Sequence, residues 1–408
     1  MMQYRNQFRM ENGLDAILGS PQTQFFLVQK FFPHELLGFD NEGRHVLLLH
    51  FNHVNWDGIA AHTVSRGDLL RHFLFLWEYI ISEDSGAKIV LVVDMENIGL
   101  FNIAWSHLSL LRRIITMTAL YYPDYLHATL AINASCFMSF AWTLMSFKLD
   151  WNTCWKCTSF SPAMTASQLK LRLSQETLPE IYGGTATTSD SQLQLVAFVK
   201  RQLKASILST VDVISTAQVE NVVKETLCHK SFKVLGAVVG RYDISFKWNP
   251  TLQMTLVRGH FCLPNTTPGR VFDYIKDPMK RPLWDTTITD IGHLGYGEEE
   301  EKTDILWYTR SYFPRGSPER HYGARQATKC CDTKYAILWK YAGEFKRADV
   351  HKNSDLFECF FLKPDASDGT IVYFQLPLSE SNVTESQVPE ATRWITDALE
   401  SLLALTMN

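Results

Sequence analysis

The 408 residues carry a net charge of −4, with 46% hydrophobic and 12% aromatic residues. This balance excludes a disordered chain, and it excludes a strong basic field that would recruit nucleic acid or an anionic membrane indiscriminately. The length predicts two or three domains, and any phosphate recognition must be local.

The N-terminal stretch MMQYRNQFRMENGLD is polar and has no apolar h-region. That predicts no secretory signal. With eight scattered cysteines it predicts a cytoplasmic protein in a reducing compartment. Residues 44–51 read as a strand after the turn Asn41-Glu42-Gly43. Residues 68–82 have helical apolar spacing through Leu69, Leu70, Phe73, Leu76, Trp77 and Ile80. A run of β-formers follows at 88–93, a second helix at 106–121 and a strand at 128–132. This βαβα order predicts an α/β domain with a largely parallel sheet.

The second half changes period. Strand-like blocks run over about 231–263, 305–313, 335–341 and 371–376. Polar turns separate them, among them the acidic run 298–301, read as a solvated hairpin tip. The last segment predicts an amphipathic helix with Pro389 in its first turn. Ala391, Trp394, Ile395, Ala398, Leu399 and Leu402 mark one face. Strands followed by a terminal helix predict an α+β domain. The stretch from Gly183 to Ser189 is small and polar, so domains are expected at 31–186 and 205–408, with 187–204 as a linker.

Residues 128–147 carry no charge, and about 20 residues can span a bilayer. Thr129, Asn133, Ser135, Ser139, Thr143 and Ser146 make the stretch polar for a lone span. It reads instead as a buried strand and a buried helix.

Three motifs in the first half share an order. Phe32-Pro33-His34-Glu35-Leu36-Leu37-Gly38-Phe39-Asp40-Asn41-Glu42-Gly43-Arg44-His45-Val46 comes first. Tyr121-Tyr122-Pro123-Asp124-Tyr125-Leu126 with Ile132-Asn133-Ala134 comes next, then Leu178-Pro179-Glu180-Ile181-Tyr182-Gly183-Gly184. Together they resemble a CRAL-TRIO lipid-binding domain of the phosphatidylinositol/phosphatidylcholine transfer type. The family's N-terminal helical bundle is reduced or missing in the segment 1–30, and Ser135 departs from the family's proline. The resemblance implies a lipid pocket between a sheet and a mobile gate helix. Phe137, Phe140, Ala141, Leu144 and Met145 form one apolar stripe at helical spacing, which suits the gate and equally suits an ordinary core helix. In phosphatidylinositol-transferring members a Thr-x-x-Lys pair and an upstream acidic residue handle the headgroup. Thr153, Lys156 and Asp124 match that pattern, with Asp124 in place of Glu. A lysine offers a point charge and a threonine a hydroxyl to phosphate oxygens.

In the second half, the residues Val271-Phe272-Asp273-Tyr274-Ile275-Lys276-Asp277-Pro278-Met279-Lys280-Arg281-Pro282-Leu283-Trp284-Asp285 resemble the signature of START lipid-binding domains. Ser317-Pro318-Glu319-Arg320 resembles a later motif with its charges inverted. The resemblance implies a START-like helix-grip fold, in which a curved antiparallel sheet wraps a C-terminal helix over a lipid tunnel. Trp394, Ile395, Leu399 and Leu402 would face the second pocket as its lid. Trp284 reads as a core anchor and Asp285 as a cap or turn residue.

No P-loop, HExxH, GxSxG or GxGxxG occurs. Cys154-Trp155-Lys156-Cys157 lacks the second ligand pair that zinc would need, and it follows a helix rather than opening one. No catalytic residue, metal or cofactor is expected. The expected function is binding of a phospholipid or sterol, with transfer or sensing and transient peripheral contact with membranes, and without nucleic acid. The alternatives are a scaffold that retains lipid-binding folds and a membrane-anchored protein.

Overall fold

The computed structural model describes residues 2–62, 64–98, 105–136, 156–210, 216–227, 235–239, 242–249, 254–296, 303–313, 318–341, 357–366, 368–379 and 383–407. Two compact units divide the chain, Met1–Gln202 and Leu203–Asn408.

The first unit is built on a five-stranded sheet in the order β1-β2-β3-β4-β5. The strands are β1 His34–Phe39, β2 His45–His50, β3 Ile89–Asp94, β4 Leu126–Ile132 and β5 Cys157–Ser159. β1 runs antiparallel to β2, and β2 through β5 are parallel. The expected largely parallel sheet is therefore present. β1 and β2 form a hairpin whose turn is tied by the Asp40 carboxylate, which accepts from the backbone N–H of Glu42 and Arg44. Gly43 supplies a positive φ of 77° there.

Parallel strands need helical crossovers, and the sequence provides them. Ser65 opens the helix Arg66–Glu83 with a capping box to Asp68, and Leu69, Phe73, Leu76, Trp77 and Ile80 are buried along it. The helix Trp105–Tyr121 connects β3 to β4. β2 and β3 are buried almost from end to end, which requires cover on both faces. One face packs Val46, Leu48, Val90, Val92, Leu130 and Ile132 against Phe160, Leu169 and Tyr182.

The expected linker differs from the structure. A helix, Asp190–Thr210, runs through most of residues 187–204. Leu195, Val199, Leu203 and Ile207 recur every four residues and are buried, so this stretch is held by an apolar stripe. The N-terminal segment contains the helices Met2–Glu11 and Phe25–Phe31. The stretch 128–147 enters β4 with its first five residues, Ala128–Ile132, which belong to Leu126–Ile132. Among the described residues, no helix is long and apolar enough to cross a membrane.

The second unit carries a nine-stranded sheet in the order β6-β7-β8-β14-β13-β12-β11-β10-β9. Its strands are β6 Leu235–Val239, β7 Tyr242–Asn249, β8 Met254–Pro264, β9 Ile288–Tyr296, β10 Thr303–Arg310, β11 Glu319–Cys331, β12 Lys334–Tyr341, β13 Phe357–Pro364 and β14 Gly369–Ser379. Every pairing is antiparallel. The expected antiparallel sheet and terminal helix are both found, the helix as Val388–Met407. Three strands were not expected: β9, β11 and β13. β9 is broken by Gly292 and Gly295, and β11 carries Glu319, Arg320, Arg325 and Lys329, so neither shows a clean apolar alternation. The acidic run 298–301 lies outside the described residues.

One core cluster joins sheet and helices. Ile244, Phe246, Phe261, Phe360 and Phe374 meet Val271 and Ile275 of the helix Pro268–Ile275, together with Trp284. Ala391, Ile395, Leu399 and Leu402 of the terminal helix close it. Each buried Val, Ile, Leu or Phe side chain of the cluster contributes about 1.5–3 kcal/mol.

Candidate functional site

Because β2 to β5 are parallel, their first residues lie along one edge of the sheet. A basic residue directly precedes three of them: Arg44 before β2, Lys88 before β3 and Lys156 before β5. His127 is the second residue of β4. The topology thus gathers at one rim groups up to 112 positions apart (44 to 156) in the chain.

Lys156 is half-buried. Its ammonium donates to the carbonyls of Pro123 at 2.9 Å and Leu126 at 2.7 Å, which flank Asp124. Its own carbonyl accepts from Thr129 N–H at 2.7 Å. The Lys88 ammonium donates to the carbonyl of Asp124. Two lysines therefore hold the turn that presents Asp124 at the surface. An ammonium has three donors, so Lys156 keeps one beyond its two backbone bonds. The structure thus places the Lys156 ammonium on backbone carbonyls either side of Asp124. Thr153 of the expected headgroup site lies outside the described residues, as do Phe137, Phe140, Leu144 and Met145 of the expected gate.

Arg44 and His127 were not singled out from the sequence. The Arg44 guanidinium donates from Nε to Asp40 Oδ2 at 2.7 Å and pairs with Glu42 Oε2 at 2.8 Å. Its Nη1 lies 2.7 Å from His127 Nε2. Partial burial lowers the His127 pKa, and the charges of Arg44 and Lys156 push the same way, against Glu42 and Asp40. Only the pattern of a basic residue ahead of three of the four parallel strands could have pointed to this rim, and the strand order is needed to read it.

The opposite edge of the sheet explains the remaining motifs. Asp94, at the end of β3, is buried. It accepts from Tyr182 Oη at 2.5 Å, Asn133 Nδ2 at 3.0 Å and Glu96 N–H at 3.0 Å. Burial, then the Asp94 carboxylate, pushes the Tyr182 phenol well above its ordinary range, so it stays a donor. Asn133 sits at a φ of 52° and takes a backbone bond to Thr165 Oγ1 at 2.9 Å. Gly184 is forced by packing, since a Cβ there would lie 1.8 Å from the Leu178 carbonyl oxygen. The Ile132-Asn133-Ala134 and Leu178-to-Gly184 motifs are thus parts of one structural lock.

In the second unit, Ile395, Leu399 and Leu402 are buried, while Trp394 is half-buried with its ring 6.0 Å from that of Phe313. A cavity of about 20 Å³ lies beneath the helix, lined by Trp284, Asp285, Arg310, Leu378, Trp394 and Leu399 among others. That is room for about one water. Leu402 is fully buried as a member of the core cluster.

Asp285 is more than a turn residue. Its Oδ2 accepts from Arg281 Nη2 at 2.8 Å and Arg310 Nη2 at 2.9 Å, and Thr287 N–H donates to Oδ1 at 3.2 Å. Arg281 also pairs with Glu358, which accepts from Tyr308 Oη at 3.4 Å. Two arginines and two carboxylates form a neutral buried set. Trp284 is a core anchor as expected, 1% exposed, with the Arg281 guanidinium 4.5 Å from its ring centroid.

Residues 33–184 match the family described as the CRAL/TRIO domain, so the N-terminal half of the chain contains a CRAL/TRIO domain. Over 193 residues the chain is 25% identical to Protein real-time of Drosophila melanogaster, covering 45% of this chain and 29% of that protein. Over 206 residues it is 25% identical to Protein real-time of Aedes aegypti, covering 46% and 31%. The chain thus spans less than a third of the length of these curated relatives. Among solved structures, human STARD10 is similar at a TM-score of 0.37 and 9% identity, covering 48% of this chain and 82% of that one. Human StAR-related lipid transfer protein 5 gives 0.36 and 13%, covering 47% and 95%. Sfh5 gives 0.36 and 17%, covering 45% and 65%. All three are distant likenesses.

Proposed function

We propose that the chain binds single lipid molecules and carries or senses them, touching membrane surfaces transiently, and that it catalyses no reaction on them. The CRAL/TRIO domain would hold a phosphatidylinositol-type phospholipid, and the second unit, read as a START-like domain, a sterol or phospholipid. The observation that carries the reading is the rim of the CRAL/TRIO domain, where the Lys156 ammonium lies beside the exposed Asp124 turn with a donor to spare. A phosphate can take that donor, and a carboxylate can accept from inositol hydroxyls. Hydrogen bonds to charged groups contribute about 1.5–3 kcal/mol each. Two buried acyl chains represent on the order of 20 kcal/mol, which only an enclosed apolar site can offer in place of a bilayer.

Lys156→Ala is the test. Phosphatidylinositol binding should weaken about tenfold or more while a lipid with an uncharged headgroup binds as before. Equal binding of phosphatidylinositol by variant and parent would remove the headgroup role. One observation favours a second reading for the C-terminal unit alone: the 20 Å³ cavity under its helix suits an interaction module that keeps the fold without a ligand. Native mass spectrometry of protein from cells separates the two, with two lipids per chain for paired carriers and one for a carrier joined to a module.

A further inference from the structure

The headgroup site reaches further along the rim than Lys156. Arg44 is fixed: Asp40, whose side chain is 2% exposed, holds its Nε, and Glu42 holds Nη1. A guanidinium can only donate, so at 2.7 Å the Nε2 of His127 must accept. A neutral imidazole whose Nε2 accepts carries its proton on Nδ1. Arg44 therefore selects one tautomer and consumes one nitrogen, and the other becomes a donor. His127 is exposed, so that donor lies at the surface. Protonating Nε2 would set two donors against each other, and the groups that act on the ring are Arg44, Lys156, Asp40 and Glu42. The Lys156 carbonyl is bonded to Thr129 N–H, two residues along β4 from His127, and the Lys156 charge acts on the His127 ring.

We propose that His127 is a second headgroup donor with Arg44 as its positioning residue: the imidazole Nδ1–H joins the Lys156 ammonium in receiving the phosphate of an inositol phospholipid at the rim. The proposal rests on the headgroup reading of Lys156 and adds to it a neutral donor whose tautomer is set by a salt-bridged arginine. A neutral donor beside the Lys156 ammonium suits a phosphodiester, which carries one charge. Arg44 has a structural partner on each side and need not touch the lipid.

The test uses the full chain and glycerophosphoinositol, a soluble phosphodiester with the same headgroup. Nitrogen NMR of the histidines should show His127 protonated at Nδ1 without ligand, and that resonance should move on titration. His127→Phe should weaken binding about tenfold, whereas His127→Gln, whose amide can both accept from Arg44 and donate, should stay within about threefold of the parent. Arg44→Met should shift His127 towards a mixture of tautomers and weaken binding less than His127→Phe does. If the parent binds, Lys156→Ala loses binding, and His127→Phe binds like the parent with the His127 resonance unmoved, the His127 role is overturned and the Lys156 reading stands. If the parent binds neither glycerophosphoinositol nor phosphatidylinositol in vesicles of phosphatidylcholine, both fall together. The NMR signal of the unaltered protein decides the matter should a variant fail to fold.

Discussion

Asp285 shows how a single side chain comes to carry the second unit's buried charge. Burial pushes its carboxyl up, but the Arg310 and Arg281 guanidiniums and Thr287 outweigh burial and hold it at about 2, below the ordinary 3.8. A depressed carboxyl stabilises the fold above its unfolded pKa, and that contribution disappears as pH falls from 3.8 towards 2. Replacing a whole buried charge set by apolar groups is often neutral, whereas removing one partner strands the others. Asp285→Asn should therefore cost about 3–5 kcal/mol in urea denaturation of the full chain. Asp332→Asn, at a fully exposed carboxylate, should stay within about 0.5 kcal/mol. A cost for Asp285→Asn as small as that of the surface control would show the cluster to be solvated. Nothing in the local sequence distinguishes Asp285 from a cap, because Arg310 reaches it from β10 and Glu358 of β13 pairs with the same arginines.

At the scale of elements, the terminal helix is the clearest case of a legible pattern with an undecided role. Its apolar face was readable from Ala391 to Leu402, and the same face is buried in the fold. Periodicity reports that a face is covered and says nothing of whether packed side chains or a ligand cover it. Here Leu402 meets the aromatic-rich cluster directly, so Leu402→Trp should overpack and lower the denaturation midpoint by a cost of about 1–3 kcal/mol. Lipid occupancy measured alongside should not change through that substitution unless a tunnel opens there. Unchanged stability with loss of bound lipid would instead establish a ligand space at Leu402. β9 and β11 escaped the sequence for the converse reason. Their polar residues are bonded across strands, as Arg325 is to Asp304 at 3.0 Å, and such partners cannot be inferred from a single run.

The two compact units differ in how acid should reach them. In the first, His34 Nδ1 donates to the Phe32 carbonyl at 2.9 Å, which leaves Nε2 to accept from His72 Nε2–H at 3.0 Å. Both rings are buried beside Phe25 and Phe73, and burial lowers His34 from 6.5 to about 4 and His72 well below 6.5. A histidine with a depressed folded pKa contributes stability above its unfolded value, which is lost as pH falls from 6.5 towards 4. In the second unit the Asp285 contribution is lost only as pH falls below 3.8, and that of Glu358 below 4.5. Acid unfolding of the whole chain should accordingly run in two steps, the CRAL/TRIO domain first, followed by near-UV circular dichroism or histidine NMR. His72→Gln, which keeps a donor for His34, should make the first step shallower. A single cooperative step below pH 4, unchanged in His72→Gln, would show that the histidine pair does not govern the first unit.

The sequence by itself determined the two-part organisation, the parallel and antiparallel character of the two sheets and the terminal helix. Each of these is written in local periodicity or in short motifs whose residues lie close along the chain. The tertiary structure alone decided the rest. It replaced the expected linker largely by a helix, Asp190–Thr210. It turned Asp94, Asn133 and Tyr182 into one lock, and it joined Arg44 to His127 across 83 positions. The physical reason is common to the last two. Strand order and register set which distant polar groups become neighbours, and a buried or aligned polar group acquires its role from the partner it meets.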